Sequence, residues 1–370
     1  MARKNREYDA LVLEADDLPD GPLKVNLLSE AVRLADADND VMRGFEARLM
    51  LMPAAQMASL PHQLVVAFTW CLAQSDRDPE TFPAEDLMWR YRWVVSQLPH
   101  FPDVSREQID ESFTDMSQRY AAMGASPRPV HLLKMFLSIR LRDIPAGQEA
   151  WRKCVRSRHD IWCDSTRTEK AFRLEYLVLA KRYREAVAQN PLVVAGFVDD
   201  RHFFALDAAD ILKPLLELGR VEDALRVQQA GYRLVARDPG KLDGVSRHLA
   251  FFARLDDFPK ALKILRENIA NLAVAPLLMD RFDILLATRL LALRMKRAGH
   301  EAMKVKLPDS IPLTAGKKGY DLDELAEWIR EDLEPIAARF DARNGNSWFA
   351  DTMAAIPELA ERPAPVTGSA

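Results

Sequence analysis

Apolar residues recur at helical spacing along almost the whole chain, and the strict alternation of a strand is nearly absent. Asp20-Gly21-Pro22 ends one helix and opens the next, because a proline in the first turn of a helix loses no hydrogen bond. Asn39 and Asp40 offer a cap for a helix through Ala47 and Met50, and Leu60 to Ala73 predicts another. After a loop rich in Asp and Pro, Asp86 to Gln97 reads as an aromatic helix stopped by Pro99 and Pro102. Ser105 and Gln108 have the spacing of a capping box for a helix to Ala122, with Gly124 as its left-handed stop.

Further along, three segments repeat one pattern: Leu174 to Val187, Leu212 to Leu225 and Leu249 to Leu262. Each is the end of an apolar helix, a polar corner, and a second helix opened by Tyr183, Val221 or Phe258 and then an alanine. Ala186, Ala224 and Ala261 step by roughly 37 to 38 residues, the period of a helical-hairpin repeat. A degenerate unit precedes them, with helices over 129–141 and 147–156. Leu277 to Arg297 predicts a long helix ended by Gly299. Between Lys304 and Tyr320 four Lys, two Pro and two Gly displace the expected return helix, with a short extended piece at Val305 and Leu307. Helix resumes over 321–343, kinked at Pro335, and a last short helix runs from a cap at Ser347 to Ala355. The resulting division is irregular hairpins over 1–128, central repeats over 129–299, a loop insertion over 300–320, capping helices over 321–361 and a disordered tail over 362–370.

The corner at Gly219 and the stepped alanines resemble the tetratricopeptide repeat family, most persuasively over 129–272. The family's usual first-helix glycine is Leu174, Leu212 or Leu249 here, and Pro239 and Pro276 fall later than its closing proline. CLAQSDRDPETF, LMWRYRWVVSQLPHFPDVS and the late FDARNGN are similar to a group of bacterial tetratricopeptide proteins. The resemblance implies an all-α, right-handed α-solenoid of about eight or nine hairpins, whose first helices line a concave groove. By that register Glu175, Lys213, Glu217, Asp243 and Arg254 face the groove, and their mixed signs suit a protein or peptide segment of mixed charge. The function implied is a non-enzymatic interaction scaffold. A peptide-responsive regulatory sensor is the first alternative.

Composition narrows the remaining classes. Hydrophobic residues make up 48% of the chain and charged residues 29%, a balance that supports a real core. A formal charge of −4 disfavours a protein whose whole surface grips nucleic acid. No apolar run approaches the ~18 residues of a membrane helix, since Asp283, Arg289 and Arg294 interrupt even Phe282 to Met295. Three scattered cysteines and an acidic start point to the cytoplasm rather than an oxidising compartment. Basic residues from Arg152 to Arg184 contrast with the acidic first forty positions, a polarity that suits docking one copy on another.

Two patterns carry candidate chemistry. Cys154, His159 and Cys163 are the only hint of a metal or a Cys-dependent site, yet the spacing fits no common zinc pairing and a fourth ligand is missing. Some of the similar proteins carry a CxxC beside Cys163, where this chain has Thr166. Trp89-Arg90-Tyr91-Arg92-Trp93 has the composition of a stacking platform, but Trp89 and Trp93 share one helix face and read as a joint between hairpins. No phosphate loop, dinucleotide fingerprint, nucleophile elbow or HExxH motif is present, so no cofactor and no catalytic residue is predicted.

Overall fold

The computed structural model describes residues 2–198, 200–273, 277–309, 311–316 and 319–365. It is all-α apart from one short ribbon. The N-terminal part holds α1 (Ala2–Asp16), α2 (Pro22–Ala37), α3 (Val41–Met57), α4 (Pro61–Arg77), α5 (Glu85–Gln97) and α6 (Arg106–Ala122). The capping box at Ser105 and Gln108 forms as its sequence spacing requires.

The central hairpins pair α7 (Arg128–Arg140) with α8 (Ile144–Arg156) and α9 (Thr166–Leu179) with α10 (Tyr183–Gln189). After α11 (Pro191–Val194), α12 (Arg201–Glu217) pairs with α13 (Val221–Val235) and α14 (Leu242–Arg254) with α15 (Phe258–Asn268). The first helices also touch in series, α7 on α9, α9 on α12, α12 on α14, and α14 on α16 (Leu278–Arg297). They form a continuous inner row.

One local device closes the hairpins. At Asn39, Ser59, Gly124, Arg142, Lys181, Gly219, Asp256 and Gly299 the backbone turns left-handed. The next residue's N–H then reaches back five positions, as in Arg182 to Leu177, Arg220 to Leu215 and Asp257 to Phe252. That bond satisfies a carbonyl orphaned by the helix end, and the left-handed turn reverses the chain. Ala186, Ala224 and Ala261 each lie five residues beyond the left-handed residue of their corner, and all are fully buried.

Close helix approach continues at Gly231, where a Cβ would meet the Cβ of Ala208 at 2.4 Å. Ala224→Leu and Gly231→Leu are each expected to lower unfolding free energy by roughly 1–3 kcal/mol through overpacking. Urea titration checks this, and unchanged midpoints would show that these joints are loose.

α7 presents two faces to two cores. Leu133, Phe136 and Leu137 join the N-terminal core, while Leu132, Met135 and Ile139 join the core shared by the central and C-terminal helices. The change of core thus runs along α7 itself. The extended piece lies at β1 (Ala302–Met303), paired antiparallel with β2 (Tyr320–Asp321), and not at Val305 and Leu307. α17 (Leu322–Asn344) continues through Pro335 as one helix.

The chain then turns at Gly345 into α18 (Trp348–Ala354) and α19 (Ile356–Glu361), the latter missed in the sequence. The Asp341 carboxylate accepts from the N–H groups of Phe349 and Ala350, supplying the cap expected of Ser347. Part of the expected disordered tail is tied down, because Arg294 and Arg297 both donate to the Arg362 carbonyl. Residues 366–370 lie outside the described residues. Arg343 donates to the carbonyls of Pro99, Phe101 and Val104, and Arg339 pairs with Asp103 at 2.8 Å, so α17 returns to the loop after α5.

No helix among the described residues is long and apolar enough to cross a membrane.

Candidate functional site

The inner helices carry charged side chains at one-turn intervals. On α12 these are Asp210, Lys213 and Glu217, on α14 Asp243, Arg247 and Arg254, and on α16 Asp280 and Asp283. Spacings of three, four or seven residues put each set on one helix face. A cavity of about 510 Å³ opens against these faces. Its apolar wall includes Phe251, Leu286 and Leu290, and Ile356 and Leu359 of α19 close it from the opposite side. A smaller cavity of about 170 Å³, lined by His100, Asp243 and Asp280, lies where α3 and α4 meet the inner row.

Of the five residues expected to face a groove, Lys213, Glu217 and Arg254 line the larger cavity together. Glu217 accepts from Arg254 at 2.7 Å. Asp243 lines the smaller cavity and pairs with Arg247 at 3.1 Å. Glu175 is engaged by Arg140 at 2.5 Å, bridging α9 to α7. The resemblance-based register therefore brings three residues to one cavity and leaves two in ion pairs beside it.

Asp210, Arg247 and Asp283 went unselected in the sequence, although they form the inner end of the larger cavity. Arg247 bridges Asp210 and Asp243, each at 3.1 Å. Burial raises the Asp210 carboxyl to about 7, against the pull of Arg247 and with the push of Glu175 and Asp243. Burial also raises Asp283. Asp280 is raised to about 8, first by burial and then by Asp243 and Asp283. Asp243 goes the other way: burial opposes ionisation, but the charge and hydrogen bond of Arg247 hold its carboxyl below the usual range.

At the outer end, burial lowers the Lys213 ammonium against the pull of Glu217, with Arg254 and Lys181 adding to the lowering. Lys213 and Asp283 take no ion pair or hydrogen bond among the described residues. The cavity thus holds a lysine and an aspartate without ion-pair partners among apolar side chains.

The cysteine constellation is built differently. Cys154 and Cys163 are buried free thiols, and burial pushes Cys154 up to about 12 and raises Cys163. The Cys163 Sγ accepts from the Asp160 N–H at 3.3 Å, and the His159 ring meets the Asp164 carbonyl at 3.2 Å. Among the described residues no three His, Cys, Asp or Glu side chains are grouped as a metal site requires.

The aromatic helix is also internally engaged. Arg92 stacks on Trp89 at 4.0 Å and pairs with Asp164 at 2.6 Å, while Trp93 packs on the N-terminal core. Much of the basic middle is neutralised locally, with Arg152 and Lys153 on Glu149, Arg167 on Asp207 and Arg182 on Glu185.

No family model, curated protein or solved structure matches the chain.

Proposed function

We propose that the protein is a non-catalytic interaction scaffold, a tetratricopeptide-like right-handed solenoid that holds a segment of a partner protein in the cavity of its inner row. The observation that carries this reading is the cavity of about 510 Å³, where the uncommitted Lys213 and Asp283 share a space with apolar side chains. Such a mixture suits a peptide, which offers side chains of both kinds along one extended backbone. The repeated corners and the serial contacts of first helices support the solenoid, since stacked hairpins of this kind bury their apolar faces only against one another.

Panning a displayed library of random peptides against the intact protein tests the proposal. The wild type is expected to enrich a family of sequences, and Ala250→Trp, which fills the cavity from α14, is expected to lose them. No enrichment by the wild type, or equal enrichment by Ala250→Trp, would refute a segment-binding role for this cavity.

A further inference from the structure

We propose that the chain carries a second ligand site, in which Arg289 receives the carboxylate of a singly charged acid with a small apolar body. The site is a cavity of about 320 Å³ between α16, α17 and α18, and it shares no lining residue with the larger cavity. The inference goes beyond the segment-binding reading and does not depend on it.

The buried arginines supply the first observation. Among the described residues five arginines are buried, and four of them pair with a carboxylate: Arg48 with Asp36, Arg92 with Asp164, Arg173 with Glu185 and Arg294 with Asp256. Arg289, 8% exposed, is the exception. Its Nη1 donates to the Met353 carbonyl at 3.2 Å, its Nε is sealed from solvent with no acceptor, and its Nη2 has no acceptor among the described residues. A guanidinium stays protonated in a folded chain, so a positive charge with donors to spare lines this cavity. An enclosed charge of that kind is costly, and a carboxylate accepting two short bonds from it offsets the cost.

The walls supply the second. Ala337 and Ala338 of α17 and Ala350 and Ala354 of α18 end at Cβ, and Met353 and Pro357 complete an apolar surface. At ~30 Å³ for a water-sized group, about 320 Å³ takes roughly ten non-hydrogen atoms. That is the size of one small carboxylic acid, or of the last residue of a chain.

The solvent side sets the charge of the ligand. Arg330 and Glu334 also line the cavity, and Arg330 is shared among Glu327, Glu331 and Glu334, one guanidinium against three carboxylates. Each of these glutamates is more than half exposed, so water screens its charge, whereas Arg289 is enclosed. A single carboxylate seated on Arg289 therefore keeps its attraction. A second one at the mouth would stand among the glutamates, and like charge discriminates against it.

Calorimetry on the full chain tests the assignment with two pairs of probes, hexanoate against hexanamide and acetyl-Gly-Leu with a free carboxylate against its amide. The acid is expected to bind saturably and its amide at least about tenfold more weakly. A difference in only one pair identifies the source of the carboxylate, a free acid or a chain terminus, and a difference in neither overturns the proposal. Arg289→Met keeps the length of the side chain without the guanidinium, and is expected to erase the difference between acid and amide. Ala350→Leu, which fills the cavity from an exposed position, is expected to lose the acid, and it decides if thermal melting shows that Arg289→Met does not fold. A difference that persists in folded Arg289→Met, or acid binding unchanged in Ala350→Leu, overturns the proposal.

Discussion

Replacing Arg294 by Ala should cost about 3–5 kcal/mol of unfolding free energy, the range for breaking a buried pair and leaving one partner behind. Arg294 is 1% exposed and sits at the crossing of three elements. Its Nε and Nη2 hold both oxygens of Asp256 at 2.7 and 2.9 Å, and Asp256 occupies the left-handed corner between α14 and α15. Its Nη1 donates to the carbonyls of Ala360 and Arg362 at 3.2 and 2.8 Å. One guanidinium therefore anchors the segment that closes the cavity. Arg294→Lys should recover only part of the loss, because an ammonium cannot reproduce the planar fork. Denaturant titration measures the cost, and limited proteolysis should show the segment around α19 cut first in Arg294→Ala. Wild-type stability together with an unchanged cleavage pattern would contradict this account.

Asp280→Asn should act in the opposite direction, stabilising the protein by about 2–3 kcal/mol at pH 8. The Asp280 carboxyl titrates at about 8 in the fold, against an ordinary value of 3.8. A folded pKa raised above the unfolded one gives a contribution that is fully present below the unfolded value and is lost as pH rises through the folded value. Between pH 4 and pH 8 the unfolded chain releases this proton while the fold retains it, and stability falls across that window. Asparagine removes the titration, so the gain should be near zero at pH 4 and grow toward pH 8. The full shift corresponds to roughly 5–6 kcal/mol; the figure given is about half of that, because Asp280 is only half-buried and water screens its charge. Melting curves of both proteins across this range provide the check, and a difference independent of pH would exclude Asp280 as its source.

A group that destabilises its own fold at neutral pH marks a place where packing alone does not explain the residue. Asp280 lies beside the smaller cavity, and its neighbour Asp283 lines the larger one. Both stand on the helix whose apolar run is interrupted by Asp283, Arg289 and Arg294. In the sequence those interruptions served to exclude a membrane span. They also mark where the interior is polar: Asp283 enters the cavity, Arg289 donates to the Met353 carbonyl at 3.2 Å, and Arg294 anchors the segment after α19.

Much of the helical order was legible because capping and stopping residues act locally. Pro22, Asp40, Ser105 with Gln108, and Gly124 need no tertiary partner to state a helix end. The corners at Arg142, Lys181 and Asp256 were less visible, since they adopt left-handed backbone without the glycine that usually announces it. The cavity was legible only in part. Along a helix, a charge that faces water and one that faces an enclosed cavity have the same spacing, so Asp210 and Arg247 looked like surface residues. What distinguishes them is the return of α18 and α19 over the inner row, which depends on contacts between parts of the chain far apart in sequence. The cap on α18 from Asp341 was hidden for the same reason: the carboxylate comes from the preceding helix, eight positions before Phe349.

The pairing of Arg339 with Asp103 spans 236 positions and bears on the order of assembly. Neighbouring hairpins can close as soon as each emerges from the ribosome, because every corner is completed within a few residues. The loop after α5 must wait for Arg339 and Arg343, with more than half of the chain still to be made. Hairpins that close within a few residues therefore precede the long-range closure, which carries the entropy of a large loop.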